Sequence, residues 1–356
     1  MIGIGYLCPM ENRTTVLETG EQASEVDLSI LIVNWNSGEF LRRCLQSLEA
    51  QREEGVRFEV IVVDNASIDG SAEGLDKLFP SVKFIWNNYN YGFAKATNQA
   101  YRLSRGRYVM TLNPDTYLVP GSLKKIVEFF DTHPDAGAAQ PYTSSYISFN
   151  RWHRWFWWQV LRDKLIPPKP LTLPSSPIQA NWLWGTGIIA RRTVLPSDRF
   201  YEEWTFLFCE EYEFCKSIRQ AGYKLYAIPI FMEHFLGGSR KRSYEIQYIV
   251  QKLSHAAIYV MTSREFGTAQ AWLNSFLKVL DGLVLWLGLS FVQLLRPKNE
   301  RIPALIEWKA LWAANLALLF MGESYFKMMN AEVEKKLNDQ SLIRKSISVS
   351  SPEYSP

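Results

Sequence analysis

The sequence predicts an α/β protein with a Rossmann-like, mostly parallel central sheet, followed by a C-terminal apolar helical region. Three observations support this. Short β-branched runs alternate with amphipathic helical segments from residue 28 to about 130, the pattern of βαβ units. Two runs end in acids: Val60-Ile61-Val62-Val63 leads into Asp64-Asn65, and Tyr108-Val109-Met110-Thr111-Leu112 into Asn113-Pro114-Asp115. Beyond residue 245 the chain turns helical and very apolar in two places. Ligands of open α/β sheets sit outside the carboxyl ends of the strands, where two carboxylates suit a nucleotide's hydroxyls and a divalent metal.

Leu28 to Val33 reads as the first buried strand, and Asn36 or Ser37 can cap a helix carrying Phe40, Leu41, Cys44, Leu45 and Leu48. Residues 58–63 form the second strand, Ser71 to Leu78 a short helix with Asp69 or Ser71 as its cap, and Val82 to Trp86 the third strand. A polar loop, Asn87 to Gly92, precedes a helix from Phe93 to Leu103 and a fourth strand at 107–112. Leu123, Ile126, Val127 and Phe130 mark one more amphipathic helix. Residues 143–181 are rich in Trp and Pro and read as an irregular loop or lid. Order returns at 182–190, in an acid-led helix from 210 to about 222, and in strand-like Leu225 to Phe231. The expected organisation is a tail over 1–27, an α/β domain over 28–240, a helical region over 241–337 and a disordered tail over 338–356.

A net charge of +3 excludes nucleic acid as the main partner. Four cysteines without CxxC spacing exclude a zinc site and fit a reducing compartment. Residues 1–27 lack an arginine-led apolar core, so a cytoplasmic location is expected.

Four places can carry chemistry. Asp115, on a proline-stiffened turn after a strand, suits a hard cation, although an isolated Asn-Pro-Asp also makes a plain turn or cap. Asp64 can accept hydrogen bonds from a base or ribose, or simply order its loop. Glu210, Glu211 and Glu213 favour the helix dipole at a helix start. Those following Phe206-Leu207-Phe208 also face apolar walls, which raise a carboxylate towards the range of a general base. His234 precedes Gly237-Gly238, a turn whose backbone can approach a phosphate, and its imidazole can bind a metal. Arg240, Lys241 and Arg242 follow, either as a solvated face or as a contact to charge or lipid.

Taken together these elements resemble glycosyltransferase family 2, in its rhamnosyltransferase-like branch. The matching pieces are Ile32-Val-Asn-Trp-Asn36, Val62-Val-Asp-Asn-Ala-Ser-x-Asp-Gly-Ser71, Asn88-x-x-Tyr-Gly-Phe-Ala-x-x-x-Asn98 and Leu112-Asn-Pro-Asp-Thr116. Gly185-Thr-Gly187, Glu210-Glu-x-Glu-Phe-Cys-x-x-Ile-Arg-x-Ala-Gly222 and His234-x-x-Gly-Gly-Ser239 complete the set across about 28–240.

The resemblance implies a GT-A fold that moves a sugar, rhamnose-like or another hexose, from a nucleotide-diphosphate donor with inversion. It implies Mg2+ or Mn2+ on Asp115, with His234 as a second metal candidate, and Asp64 against the nucleobase. The donor-binding set is then Asn36, Asp64, Asn65, Asn90, Gly92, Asn98, Asn113 and Gly185. Asn113 stands where the family's metal motif has its first acid. Glu211 takes the position of the aspartate base, with Glu210 and Glu213 as alternatives because the side chain is one methylene longer. The stretch Ser197 to Glu203 departs from the family's acceptor motif. The implied acceptor is a hydroxyl of a glycan or polyprenyl-linked saccharide in cell-surface polysaccharide synthesis. Two other readings stand beside this one: an inactive nucleotide-sugar-binding protein, and a nucleotidyltransferase. The latter would carry a Gly-rich basic loop where this chain has Asn34 to Gly38.

Trp272 to Leu295 is long enough to span a bilayer but carries Lys278 and Asp281, which share a helix face and can pair or point to headgroups, while Ala310 to Met321 is too short. Interfacial helices holding the protein peripherally on the cytoplasmic face, a true span, and an ordinary packed helical subdomain are the alternatives. Tryptophans in both runs favour the interface.

Overall fold

The computed structural model describes residues 26–143, 174–235, 244–294 and 304–349. Its centre is a sheet in which β1 (Leu28–Asn34) lies between β2 (Phe58–Asn65) and β4 (Tyr108–Leu112), with β3 (Val82–Asn87) outside β2, all parallel. Every residue of β1, β2 and β4 is buried. Strands covered on both faces need continuous apolar runs, which is why they stand out in the sequence. Helices α1 (Phe40–Glu49), α2 (Leu75–Leu78) and α3 (Phe93–Leu103) connect them, and α4 (Ser122–Thr132) follows. The chain moves outward from β1 to β3 and then returns to β1's other side at β4, so the order reverses between β1 and β4. A crevice opens at such a reversal.

The other strands make the sheet mixed. Beyond β4 come β8 (Ile189–Arg191), β6 (Ala136–Thr143), β9 (Lys224–His234) and β5 (Thr116–Leu118), with β7 (Ile178–Ala180) also paired to β9. Strands β8, β5 and β7 run antiparallel to their partners, whereas β6 and β9 are parallel to each other. Strand β7 lies inside the stretch read as irregular; residues 144–173 of that stretch lie outside the described residues.

Local capping differs from expectation. Asn36 takes a left-handed conformation (φ 51°) and its side-chain Oδ1 accepts from the Ile68 N–H at 2.8 Å, while the Ser37 hydroxyl donates to the Asn34 side chain. Neither caps α1, whose N-cap position is Glu39. Asp69 accepts from the Gly38 and Ser71 N–H groups, each at 2.9 Å, and so ties two loops together; α2 itself starts later, after Gly74 at φ +70°.

The C-terminal half contains α5 (Glu210–Gln220), then α6 (Tyr244–Phe266), α7 (Thr268–Leu294), α8 (Ala304–Met321), α9 (Glu323–Leu337) and α10 (Gln340–Val349). Ile246, Leu253, Ala257 and Val260 of α6 share one apolar core with Ala94 of α3 and Phe214 of α5. This region is therefore packed onto the α/β domain. Among the described residues no helix is long and apolar enough to cross a membrane. Lys278 does not reach headgroups. It is buried beside His255, Asn274, Ser275 and Asn315, and burial pulls its amine down to about 8. Within the tail expected to be disordered over 338–356, residues 340–349 form α10 instead, and 350–356 lie outside the described residues. Asp339 accepts from the Ser341 and Leu342 N–H groups at 3.0 and 3.2 Å, an N-cap, and Ile343 and Ser346 are buried.

Candidate active site

The first loop of the crevice is built on Asn34, the last residue of β1, which pairs in register with Asp64. Its side-chain amide donates to Asp64 Oδ1 at 2.7 Å and to the Ser67 and Ser71 hydroxyls at 3.1 and 3.0 Å. The other oxygen of Asp64 accepts from the Ser67 N–H at 3.1 Å. Asp64 is thus buried and held in one orientation at the strand end. Nearby, the Nδ2 of Asn36 is buried without a hydrogen-bond partner among the described residues. A buried, unpaired donor is costly, so this one suits an acceptor on a bound molecule.

The second group of predicted residues forms a network of its own. Asn65 Nδ2 donates to Asn90 Oδ1 at 2.7 Å and to the Gly92 carbonyl at 3.2 Å. Asn65 Oδ1 accepts from the Tyr91 N–H and from Asn87 Nδ2, both at 3.1 Å. These asparagines hold the 87–92 loop in shape. Asn98 is elsewhere: fully buried on α3, it donates to the Tyr201 carbonyl and Glu203 and accepts from the Phe200 and Tyr201 N–H groups. With its amide and carbonyl all engaged, Asn98 anchors the 200–203 segment.

Asp115 and His234 come together because β5 and β9 pair with Thr116 opposite His234. Both are buried, and His234 Nε2 lies 3.3 Å from Asp115 Oδ1. The Phe235 N–H also donates to the Asp115 carbonyl at 3.0 Å. Neighbouring donors around an octahedral ion with bonds of about 2.1 Å are about 3 Å apart, so an imidazole nitrogen and a carboxylate oxygen at this separation fit one divalent cation. No group of three or more candidate ligands occurs among the described residues. The remaining ligands would come from phosphate and water, the usual case for Mg2+. Gly237 to Ser239 and Arg240 to Arg242 lie outside the described residues.

Asn113, half-buried on the same turn, donates its N–H to the Thr186 carbonyl at 3.1 Å. That bond joins the Asn113–Asp115 turn to the Gly185–Gly187 turn, behind which lie the acids of α5. A side chain begun at Gly185 would stand 3.8 Å from Glu210 Oε1 and 3.9 Å from Glu211 Oε2. Gly185 therefore keeps open the space in front of both carboxylates. Phe208 and Cys209 are left-handed (φ 72° and 63°), a sharp entry that brings Glu210 and Glu211 into the first turn of α5 with both buried. Burial raises both carboxyls well above their ordinary value, and the charge of Glu211 pushes Glu210 further in the same direction. Glu210 Oε2 has no hydrogen-bond partner among the described residues. Glu213 is different: it is paired with Arg264 at 2.7 Å. Its carboxylate is engaged in that ion pair, whereas those of Glu210 and Glu211 form no ion pair among the described residues.

A strand-end crevice at the switch point of the nucleotide-type half sheet, faced by a carboxylate-bearing helix start, is the layout of a GT-A glycosyltransferase. The comparisons agree. The chain matches the model described as glycosyl transferase family 2 over residues 29–195. Its similarity within the family extends to an N-acetylglucosaminyl-diphospho-decaprenol L-rhamnosyltransferase of Mycobacterium tuberculosis, 24% identical over 234 residues, 57% of this chain and 73% of that protein. It is also similar to a UDP-Glc:alpha-D-GlcNAc-diphosphoundecaprenol beta-1,3-glucosyltransferase of Escherichia coli, 29% identical over 30% of this chain and 41% of that protein. Among solved structures, the mannosyltransferase of Pyrobaculum calidifontis in complex with GDP-Man and Mn2+ superposes with a TM-score of 0.51 at 15% identity. It covers 82% of this chain and 86% of its own, a likeness of fold.

Proposed function

We propose that the protein transfers a hexose, rhamnose-like by its similarity to the mycobacterial enzyme, from a nucleotide-diphosphate sugar to a hydroxyl of a lipid-linked glycan, with inversion, in cell-surface polysaccharide synthesis. The observation that supports this most directly is the buried Glu210–Glu211 pair facing the open space at Gly185. Two adjacent buried carboxyls titrate as a unit, and one of them left unprotonated is a base poised nearer neutrality than a surface acid. In this reading Glu211 takes the proton of the acceptor hydroxyl as its oxygen bonds to the anomeric carbon. The bond from that carbon to the diphosphate oxygen breaks on the opposite face, and one displacement inverts the centre. Asp64 and the unpaired Asn36 amide orient the nucleotide at the ends of β1 and β2. Asp115 and His234 would hold Mg2+ or Mn2+, which when bound neutralises charge on the leaving diphosphate.

Lipid-linked acceptors bring the enzyme to a membrane surface, as the names of both relatives suggest by analogy. Trp272, Phe276, Leu280 and Leu283 are 44, 38, 44 and 44% exposed along one side of α7, and Trp272 stacks on Phe276. Aromatic side chains favour the headgroup region, so this side rests peripherally on the cytoplasmic leaflet. The test is a screen of nucleotide sugars for protection against thermal unfolding, with and without Mn2+ or Mg2+, followed by NMR of the product's anomeric configuration. Protection by one donor class with metal and an inverted product is expected. Protection without any turnover on lipid-linked acceptors would leave a binding protein, and a retained configuration would remove the single displacement.

A further inference from the structure

The helical region reaches back into the site through two asparagines. Asn330 of α9 accepts a hydrogen bond from the Phe206 N–H at 2.7 Å. Asn338, at the C-cap of the same helix, makes a reciprocal pair with the backbone of Asn90: the Asn90 N–H donates to Asn338 Oδ1 at 2.7 Å, and Asn338 Nδ2 donates to the Asn90 carbonyl at 3.0 Å. Asn338 Nδ2 also donates to the Glu334 carbonyl at 2.8 Å, which fixes its own rotamer.

The two contacted loops are also joined to each other. The Phe93 N–H donates to the Phe206 carbonyl at 3.0 Å. Gly92 (φ +83°) packs so closely that a Cβ there would lie 2.5 Å from the same carbonyl oxygen. One peptide at Phe206 therefore has its N–H held by α9 and its carbonyl held by the 87–92 loop. Trp204, two residues earlier, packs on Phe326 of α9. Just beyond Phe206 the chain makes the left-handed turn at Phe208 and Cys209 that delivers Glu210 and Glu211. On the other side, Asn90 Oδ1 is the acceptor for Asn65, next to Asp64.

We propose that Asn330 and Asn338 are positioning residues. Together they fix the base-bearing loop and the 87–92 loop in one mutual register, so the C-terminal helices complete the active site as well as adjoin it. This rests on the reading of Glu211 as the base only for its kinetic consequence; the register itself is a property of the fold. Two side chains eight residues apart on a helix end are separated by about 12 Å along its axis. A rigid rod of that length clamps two loops at once.

The test uses the full-length chain with Asn330→Leu, Asn330→Asp and Asn338→Leu. Hydrogen–deuterium exchange is followed at residues 88–93 and 205–211, alongside the pH dependence of kcat on whichever donor the wild type turns over. In Asn330→Leu the Phe206 N–H loses its acceptor. Exchange should rise at both loops, kcat should fall by about 10- to 100-fold with donor KM changed less, since misplacement by ~1 Å can cost that much, and the acid limb should move to lower pH as water reaches the carboxylate pair. Asn330→Asp keeps an acceptor oxygen and should restore most of kcat. Asn338→Leu should open the 88–93 loop first and raise donor KM. Unchanged exchange at both loops in folded leucine variants would overturn the proposal. So would a kcat loss equal in all three variants with the pH limb unmoved. If the wild type transfers no sugar, the functional reading fails while the exchange data still decide the clamp.

Discussion

His234 Nε2 and Asp115 Oδ1 stand 3.3 Å apart although 119 positions separate them (234 − 115), because the pairing of β5 with β9 sets Thr116 opposite His234. The proposed metal pair is thus a product of sheet register. Removing either partner should act on the metal and leave the sheet standing. Asp115→Ala is expected to lower transfer by about 10²–10³-fold, the scale of losing one stabiliser of developing charge. His234→Ala should raise the Mn2+ concentration needed for half-maximal rate. Near-wild-type turnover by Asp115→Ala at ordinary metal concentrations would remove the aspartate from the metal.

Glu211→Gln keeps the volume and loses the base, so donor protection should persist while transfer falls by about 10²–10⁴-fold. Glu213→Gln breaks only the ion pair with Arg264 and should leave the rate within a few-fold. The reverse pattern, a dead Glu213→Gln and an active Glu211→Gln, would shift the base along the helix.

The carboxylate pair also sets a pH dependence. Both folded-state values lie above the ordinary 4.5, so activity should rise with pH through the raised values and be lost as pH falls through them. Stability has the opposite sign. A raised carboxyl favours the folded state when protonated; that contribution is complete below 4.5 and lost as pH rises through the folded value. Glu210→Gln should therefore unfold at a higher temperature than wild type under mildly alkaline conditions, with little difference in acid. The acid limb of kcat should stay near its wild-type position, since burial raises Glu211 while the neighbouring charge acts on Glu210. Parallel melting curves at all pH values would contradict the burial.

Asp64→Ala should weaken donor binding about tenfold, the effect of losing roughly one charge-assisted hydrogen bond, with kcat at saturation less affected. An unchanged donor affinity would mean that Asp64 serves only the loop that Asn34 organises.

For the membrane side, flotation with vesicles of anionic lipid gives the measurement. Wild type should float, and Trp272→Glu with Phe276→Glu should stay at the bottom while retaining rate on a short soluble acceptor. Equal flotation of both would detach this face from the bilayer.

The sequence disclosed what is local and apolar. Strands β1, β2 and β4 are buried throughout, so their runs are uninterrupted, and α3 begins and ends as its periodicity predicts. Strand β6, Ala136-Gly-Ala-Ala-Gln-Pro-Tyr-Thr143, has no branched run and is a strand because β8 and β9 flank it. Asp115 was legible at a strand end, but its company with His234 depends on a pairing between distant segments. Asn65 and Asn90 spend their side chains on the 87–92 loop and Asn98 on the 200–203 segment, which only side-chain direction reveals. Glu213 could not be told from Glu211 without Arg264, 51 positions away. Asn34 carried a signal, as the polar residue ending an apolar strand; Asn330 and Asn338 carried none, being ordinary polar positions near a helix end.

The hold of α9 on Phe206 and Asn90 bears on how such enzymes can be recombined. A hybrid that joined residues 28–235 of this chain to the helices of a relative would inherit every candidate acid together with Asp115 and His234. It would still meet its new helices with an unmatched peptide at Phe206 and an unmatched Asn90. The C-terminal helices are therefore not freely transplantable as a cassette. The unit of exchange is the catalytic half together with residues 323–338, and drift in one part constrains which changes the other can tolerate.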